Sequence, residues 1–133
     1  MILLDTHVLI WVDIDDPTLG KSTRRLISQA WEAGEVAICA MSFWECAMLN
    51  SRQRIVLPKS PLAWRGDLLA AGLVELPIDG QISILATELE PLHKDPADRL
   101  IAASAITHSA TLVTADERLL EWRHALKRQN ALR

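Results

Sequence analysis

The stretch MILLDTHVLIW, at residues 1–11, decides the fold of this chain. Its first four residues are apolar without a break, which is typical of a buried strand in a parallel sheet. Asp5 ends this run, and residues 7–12 then read as a short helix. A strand that passes into a helix through an acid predicts an α/β unit with the acid at the end of the strand.

The rest of the chain repeats this alternation of strands and helices. Apolar runs predict three further strands, at 36–40, 73–78 and 112–114. Helical spacing of apolar residues predicts further helices, at 23–33, 42–53, 62–71, 79–89, 96–108 and from 117 onward. This order predicts a mostly parallel sheet with right-handed crossovers in a single domain, residues 1–133. The polar tail from His124 fits either a short edge strand or a frayed end.

Four acids follow strand-like apolar runs and are expected at helix starts. They are Asp5, Glu45, Asp98 and Asp116. The carboxyl ends of parallel strands meet at one edge of a sheet, so we expect these side chains to lie together. Clustered carboxylates repel one another and are costly to desolvate, and one or two hard divalent cations relieve that cost. A carboxylate site holding Mg²⁺ or Mn²⁺ is typical of metal-assisted phosphodiester cleavage.

Each acid also has a purely structural alternative, because acids are favoured at helix N-termini. Asp5 and Asp116 could cap the helices that follow them, and Ser42 with Glu45 fits a capping box. The segment DPAD at 95–98 places one aspartate at the N-cap and another in the first turn, which is a strong helix start in its own right. Capping does not require an acid, however, and the set as a whole favours a shared site.

The chain resembles the PIN-domain ribonucleases, in particular the VapC-type toxins of bacterial toxin–antitoxin pairs. The resemblance rests on four segments in the order and spacing of that family: LLDTHVLIW at 3–11, SFWECAML at 42–49, HKDPADRLIAASA at 93–105 and TLVTAD at 111–116. It implies a PIN-like three-layer α/β/α domain with a central, mostly parallel sheet of four or five strands. It also implies an endoribonuclease dependent on Mg²⁺ or Mn²⁺, with an RNA substrate and inhibition by a small cognate antitoxin.

The resemblance assigns Asp5, Glu45, Asp98 and Asp116 to the catalytic site. Asp5 and Asp98 are the best candidates for direct metal ligands, and Asp116 could complete the metal shell or act through water. Glu45 could bind a second metal or orient the attacking water. The sequence does not separate these roles.

Four further residues lie beside these acids in the sequence. Thr6 and Thr114 offer hydroxyls near the metal, although each could equally satisfy a backbone group. Asp95 could contact the residues that bind the metal without binding it directly, but an N-cap role is the stronger expectation. Arg99 could meet a scissile phosphate, or it could form a salt bridge that fixes an acid.

The composition excludes several other kinds of protein. The net charge is −3, with 17 acidic and 14 basic residues, which argues against a broadly basic nucleic-acid surface. Without the four site acids, 13 acidic residues remain against 14 basic ones, so the charge leaves the partner open. No apolar run is long enough for a membrane span, and the N-terminal segment lacks the basic leader of a signal peptide, so we expect a cytoplasmic location. Cys39 and Cys46 match no zinc or redox motif, so we expect two reduced, buried thiols rather than a disulfide.

Two other functions compete with the nuclease. A phosphoacceptor receiver-like signalling module has a similar length and a parallel sheet, but it needs a lysine after the last strand, and none follows TLVT here. A catalytically inactive PIN interaction domain is the other alternative, and the intact acid set speaks against it. We also expect a homodimer and no association with membranes.

Overall fold

A five-stranded parallel sheet runs through the middle of the protein in the order β3-β2-β1-β4-β5. The structure is a computed structural model that describes all residues from Met1 to Arg133. The strands are β1 (Ile2–Leu4), β2 (Val36–Cys39), β3 (Val74–Leu76), β4 (Thr111–Thr114) and β5 (Arg128–Asn130). All four strand pairings are parallel, which confirms the predicted sheet.

Seven helices connect and flank the strands. They are α1 (Thr6–Asp13), α2 (Lys21–Glu32), α3 (Ala40–Ser51), α4 (Pro61–Ala70), α5 (Gly80–Thr87), α6 (Pro96–Thr107) and α7 (Glu117–Leu120). Each predicted element is present, and most boundaries differ by one to three residues. The tail forms the short edge strand β5, which decides between the two alternatives left open by its sequence. No helix of this protein combines the length and apolar character that a membrane span needs.

The first strand occupies the centre of the sheet, as its uninterrupted apolar sequence predicts. Ile2 pairs with Val36 on one side and with Thr111 on the other. Leu3 and Leu4 are fully buried and point to opposite faces of the sheet, so each belongs to a different hydrophobic core. Because β1, β2 and β4 run in the same direction, their last residues lie at one edge of the sheet.

The two cores lie on opposite faces of the sheet and make the domain three layers thick. Leu3 contributes to a core that includes Ile82 of α5 and Ile101 of α6. Leu4 contributes to a second core that includes Ile27 of α2 and Trp64 of α4. The helices therefore cover both faces, and the predicted three-layer α/β/α arrangement is confirmed.

Acidic N-caps begin several of the helices, as the sequence predicts. The Asp5 carboxylate accepts a hydrogen bond from the Thr6 backbone N–H, Asp95 accepts from Ala97, and Asp116 accepts from Arg118. These residues therefore combine capping with a position at the carboxyl edge of the sheet.

The predicted capping box at the start of α3 is wrong. Strand β2 passes into α3 without a turn, so the helix begins at Ala40 and not at Ser42. Ser42 is consequently buried inside the helix, and Glu45 lies in the second turn rather than at the helix start. The Glu45 side chain is left free of the backbone and contacts α1 instead.

Both cysteines are free and fully buried, which confirms the expected reduced thiols. Burial is the main cause that raises the pKa of the Cys46 thiol to about 12, and the nearby Glu45 and Asp13 carboxylates raise it further. A thiol held protonated in this way is a packing residue and not a nucleophile.

Candidate active site

The four predicted acids line one open cavity at the carboxyl edge of the sheet. The cavity has a volume of about 230 Å³. Its polar lining consists of Asp5, Thr6, His7, Glu45, Asp95, Asp98, Asp116 and Arg118. Chain segments that are far apart in sequence therefore meet there.

Asp5 lies at the back of the cavity with its carboxylate fixed from two sides. The residue is only 3% exposed. Oδ1 accepts a hydrogen bond of 2.8 Å from the backbone N–H of Thr6, and Oδ2 accepts one of 2.7 Å from the Thr114 hydroxyl. Thr114 Oγ1 in turn accepts from the backbone N–H of Asp116 at 3.0 Å. The Thr114 hydroxyl is thus hydrogen-bonded to both Asp5 and Asp116.

Thr6 holds Glu45 in a similar way. The Thr6 hydroxyl donates to Glu45 Oε1 at 2.5 Å, and its oxygen lies 2.8 Å from Ser42 Oγ. Both threonines that the sequence placed near the site therefore contact its acids directly. Glu45 Oε2 has no hydrogen-bond partner within the protein and remains available to a ligand in the cavity.

Asp98 and Asp116 form the tightest part of the site together with a histidine. Asp98 Oδ2 lies 2.6 Å from His93 Nε2 in a hydrogen bond. Ligand atoms of His93, Asp98 and Asp116 all lie within 4.8 Å of one another, a spacing that a metal ion can bridge. Asp5 lines the same cavity outside this closest set.

Burial and mutual repulsion raise the pKa values of two of these acids. Burial is the main cause that raises the pKa of Glu45, and repulsion from Asp5, Asp98 and Asp95 adds to it. Burial also raises the pKa of Asp98 most strongly, followed by repulsion from Asp5, Asp95 and Asp116 and opposed by the hydrogen bond from His93. The ionised forms of Glu45 and Asp98 are therefore destabilised in the folded protein.

Asp116 differs from these acids because it has a cationic partner. Burial acts to raise the pKa of Asp116, but hydrogen bonds from the Arg118 side chain and backbone lower it overall. Arg118 Nη2 lies 3.1 Å from Asp116 Oδ2 and 3.7 Å from Asp98 Oδ2. Arg118 is the one lysine or arginine side chain that lines the cavity, and it is too exposed to neutralise the whole cluster.

The donor set fits a hard divalent cation. Five carboxylates surround the cavity, and two of them have raised pKa values that a bound cation would relieve. The residues placed to hold such an ion are Asp5, Asp98 and Asp116, which the sequence named, and His93, which it did not.

Arg99 does not lie at the site. Its guanidinium donates to the backbone carbonyls of Ala86, Leu92 and His93 and pairs with Glu90 at 3.0 Å. The prediction that Arg99 meets a scissile phosphate is therefore wrong, because these four acceptors occupy the guanidinium. Arg99 fixes the segment that presents His93 to Asp98, and none of the four acids is its partner.

Asp95 lies at the rim of the cavity as an exposed N-cap. Its Oδ1 accepts a hydrogen bond of 3.0 Å from the backbone N–H of Ala97. The carboxylate lines the cavity and contributes to the repulsion that raises the pKa of Asp98. The expected N-cap role is confirmed.

His93 and Arg118 were not among the predicted site residues. His93 lies half-buried in the loop before α6 and bonds to Asp98. Arg118 lies in the first turn of α7, where its backbone N–H and its guanidinium both donate to the N-cap Asp116. A basic residue two positions after an acidic N-cap was the available signal.

Comparison with known proteins agrees with this architecture. Residues 2–124 match the family model of the PIN domain. The chain belongs to the PIN-domain family. This PIN domain is 36% identical to Ribonuclease VapC22 of Mycobacterium tuberculosis (strain ATCC 25618 / H37Rv) over 124 residues, which is 92% of each chain. The receiver-like alternative is therefore wrong.

Two solved structures have a similar fold. The crystal structure of VapBC2 from Rickettsia felis bound to a promoter DNA fragment matches this PIN domain with a TM-score of 0.73, at 20% identity over 98% of each chain. The DNA-bound VapBC of Salmonella typhimurium matches with a TM-score of 0.70, at 17% identity over 97% of this chain and 98% of that chain. At these identities the similarity concerns the fold.

Removing one crowded charge should stabilise the metal-free protein. The Glu45→Gln variant keeps an acceptor for the Thr6 hydroxyl but loses the desolvated charge. Because folding raises the pKa of Glu45, the wild-type protein loses stability as the pH rises from the unfolded pKa through the folded pKa. In EDTA at pH 7 we expect the melting temperature of the variant to be higher by about 2–4 °C. The difference should disappear near pH 4, where the wild-type carboxyl becomes protonated.

The matched control is Glu32→Gln, because Glu32 is exposed and forms no ion pair. Scanning calorimetry in EDTA measures both variants across this pH range. A Glu45→Gln protein that melts at or below the wild-type temperature at pH 7 would contradict the electrostatic account of the site.

Proposed function

We propose that this PIN domain is a cytoplasmic endoribonuclease that depends on Mg²⁺ or Mn²⁺ and is the toxin of a type II toxin–antitoxin pair. The observation that carries the proposal is the meeting of Asp5, Glu45, Asp98 and Asp116 around one open cavity. Similarity to a ribonuclease over 92% of the chain supports RNA as the substrate.

The metal would be held by Asp98 and Asp116, with Asp5 and His93 beside them. When bound, a divalent cation activates water and neutralises charge on a phosphate. Asp5 contributes a carboxylate whose direction is fixed before any ligand enters, because Thr6 and Thr114 hold both of its oxygens.

Glu45 is the proposed general base. Its Oε1 is occupied by the Thr6 hydroxyl, and its free Oε2 accepts the proton of the attacking water. Burial raises the pKa of Glu45 and brings it closer to neutrality, which favours this proton transfer. The water oxygen bonds to phosphorus as the bond from phosphorus to the 3′-oxygen breaks, and the 3′-oxygen takes a proton from solvent. The products therefore carry 5′-phosphate and 3′-hydroxyl ends.

The histidines do not support the alternative route through the ribose 2′-hydroxyl. His7 Nε2 accepts a hydrogen bond of 2.9 Å from the backbone N–H of Ala115, and His93 Nε2 is engaged by Asp98. No pair of free imidazoles faces the cavity to act as acid and base in a cyclisation.

Cleavage should require both the metal and Asp98. We expect purified, antitoxin-free protein to cut total cellular RNA in Mn²⁺ and to be inactive in EDTA. Asp98→Asn should lower the rate on the order of 100-fold or more, because it weakens metal binding and the stabilisation that the metal provides. Asp79→Asn is the matched control, since Asp79 also caps a helix but lies outside the cavity. End mapping of the products identifies the chemistry.

Full activity in EDTA, or products with 2′,3′-cyclic phosphates, would contradict this mechanism. Absence of RNA cleavage in Mn²⁺ by a folded protein would instead favour the second candidate, a catalytically inactive PIN interaction domain.

An apolar groove beside the acid cavity is the proposed docking site of the antitoxin. The groove has a volume of about 270 Å³ and is lined by Ile10, Asp13, Ile14, Trp64 and residues 54–57. Val56 is 88% exposed and Ile14 is 58% exposed, so the groove presents apolar surface to solvent. Ile10 lines both the groove and the acid cavity. An apolar helix or strand in this groove could therefore place an arginine among the acids.

A charged residue in the groove should weaken inhibition by the antitoxin and leave RNA cleavage unchanged. Val56→Glu buries a carboxylate against the apolar antitoxin segment, so we expect antitoxin binding to weaken about 10-fold or more. RNA cleavage by the free variant should remain at the wild-type rate. Ile84→Glu is the control, because Ile84 is 64% exposed on α5 and does not line the groove.

Co-purification with the antitoxin and an RNA inhibition assay measure both effects. Unchanged inhibition of Val56→Glu would exclude this groove as the docking site.

The expected homodimer stays a prediction. The most exposed tryptophan, Trp44 at 60%, offers apolar surface for such an interface.

A further inference from the structure

A second cavity adjoins the acid cavity and has a different character. It has a volume of about 370 Å³ and is lined by residues 91–93, Arg118 and residues 121–123. We call it the basic cavity. Arg118 lines both cavities, and His93 of the basic cavity bonds to Asp98 of the acid cavity. The two cavities therefore form neighbouring parts of one surface.

The charge of the basic cavity is opposite to that of the acid cavity. Its lining contains the cations Arg118 and Arg123 and a single carboxylate, that of Glu121. Arg123 is exposed and makes no hydrogen bond or ion pair through its side chain, unlike Arg118, which bonds to Asp116. Arg123 is therefore an unpaired cation next to the acid cavity, whose lining is mostly negatively charged.

Two residues of the basic cavity carry buried polar atoms without a hydrogen-bond partner. These atoms are His93 Nδ1 and Trp122 Nε1. Both have almost no accessible surface and therefore lie inside the cavity wall. The part of the lining that a ligand can reach includes the exposed Arg123 and Pro91.

The shape and the apolar lining suit part of a nucleotide. The volume lies within the range of about 300–1,000 Å³ that is usual for small-ligand sites. Pro91 is exposed and provides apolar surface for a ribose or base, while Leu92 and Trp122 are only 3% and 5% exposed and complete the wall. The arginines provide donors for a phosphate. A single-stranded RNA combines these groups, and its phosphates follow one another along the strand.

We propose that the basic cavity binds the nucleotide adjacent to the scissile phosphodiester, with Arg123 contacting its phosphate and Pro91 contacting its ribose or base. This inference rests on the proposed ribonuclease function and adds a subsite to it. The RNA strand passes from the basic cavity to the acid cavity beside Arg118. Arg123 thus positions the substrate, and the acids carry out the cleavage.

RNA binding in EDTA tests the subsite without cleavage. A fluorescent single-stranded RNA that the wild type cuts in Mn²⁺ is titrated with wild type, Arg123→Glu and the control Arg25→Glu. Arg25 is an exposed, unpaired arginine on α2, which packs on the opposite face of the sheet from Leu92 and Trp122. We expect Kd to rise 10-fold or more for Arg123→Glu and less than twofold for Arg25→Glu.

The salt dependence identifies the contact as a phosphate. Loss of one phosphate contact lowers the slope of log K against log salt by about 0.7 for a single strand. Arg123→Ala should show this decrease, while Arg25→Ala should keep the wild-type slope. A cation that binds only the folded protein raises its melting temperature. We expect Mn²⁺ to raise the melting temperature of Arg123→Glu as much as that of the wild type, because the acid cavity is untouched.

A methylphosphonate scan locates the phosphate. Each phosphate near the cut site is replaced in turn by a neutral methylphosphonate, and binding to wild type and Arg123→Ala is compared. At one position next to the scissile bond, the replacement should weaken wild-type binding but have no further effect on Arg123→Ala. Additive losses at every position would overturn the proposed contact.

The possible failures are distinguishable. If the wild type cleaves RNA in Mn²⁺ and Arg123→Glu binds RNA as tightly as the wild type, the subsite is wrong and the nuclease stands. If Arg123→Glu loses antitoxin binding but keeps RNA binding, the basic cavity is a protein-docking site and the subsite is again wrong. If the folded wild type neither binds nor cleaves RNA, both the proposed function and the subsite fail.

Discussion

The hydrogen bond from the Thr114 hydroxyl to Asp5 Oδ2 is the interaction on which the site depends. It joins the carboxyl ends of two neighbouring strands, and Asp5 has almost no contact with solvent. A buried carboxylate is tolerated only when its oxygens are hydrogen-bonded, and Thr6 and Thr114 satisfy that requirement. The same threonines contact Glu45 and Asp116, so the geometry of three acids follows from two hydroxyls.

The acids themselves could be predicted because they follow from local sequence. A continuous apolar run marks each buried parallel strand, and the direction of the sheet places Asp5 and Asp116 at one edge. Asp98 follows from the helix start at 95–98. The error at Glu45 arose because β2 enters α3 without a turn, and no sequence pattern distinguishes that junction from a capping box.

The remaining parts of the site depend on contacts between distant segments. His93 reaches Asp98 because Arg99 binds the carbonyls of Leu92 and His93 in the preceding loop and a third carbonyl near the end of α5. Every residue has a backbone carbonyl, so the sequence does not indicate which carbonyls an arginine binds. Strand β5 lies at the edge of the sheet, and its sequence is polar. The apolar pattern that predicts the other strands is therefore weak in β5. The surfaces proposed for metal, RNA and antitoxin adjoin one another, because Ile10 lines both the groove and the acid cavity and Arg118 lines both the acid cavity and the basic cavity.

The central claim is that this cluster of acids holds the catalytic divalent cation. Crystals of the protein soaked in Mn²⁺, with anomalous scattering recorded at the manganese edge, test it most directly. The account predicts an anomalous peak in the acid cavity, bonded to carboxylate oxygens of Asp98 and Asp116, and no such peak in Asp98→Asn. A wild-type crystal at saturating Mn²⁺ with no peak in this cavity, from protein that cleaves RNA in Mn²⁺, would contradict the account.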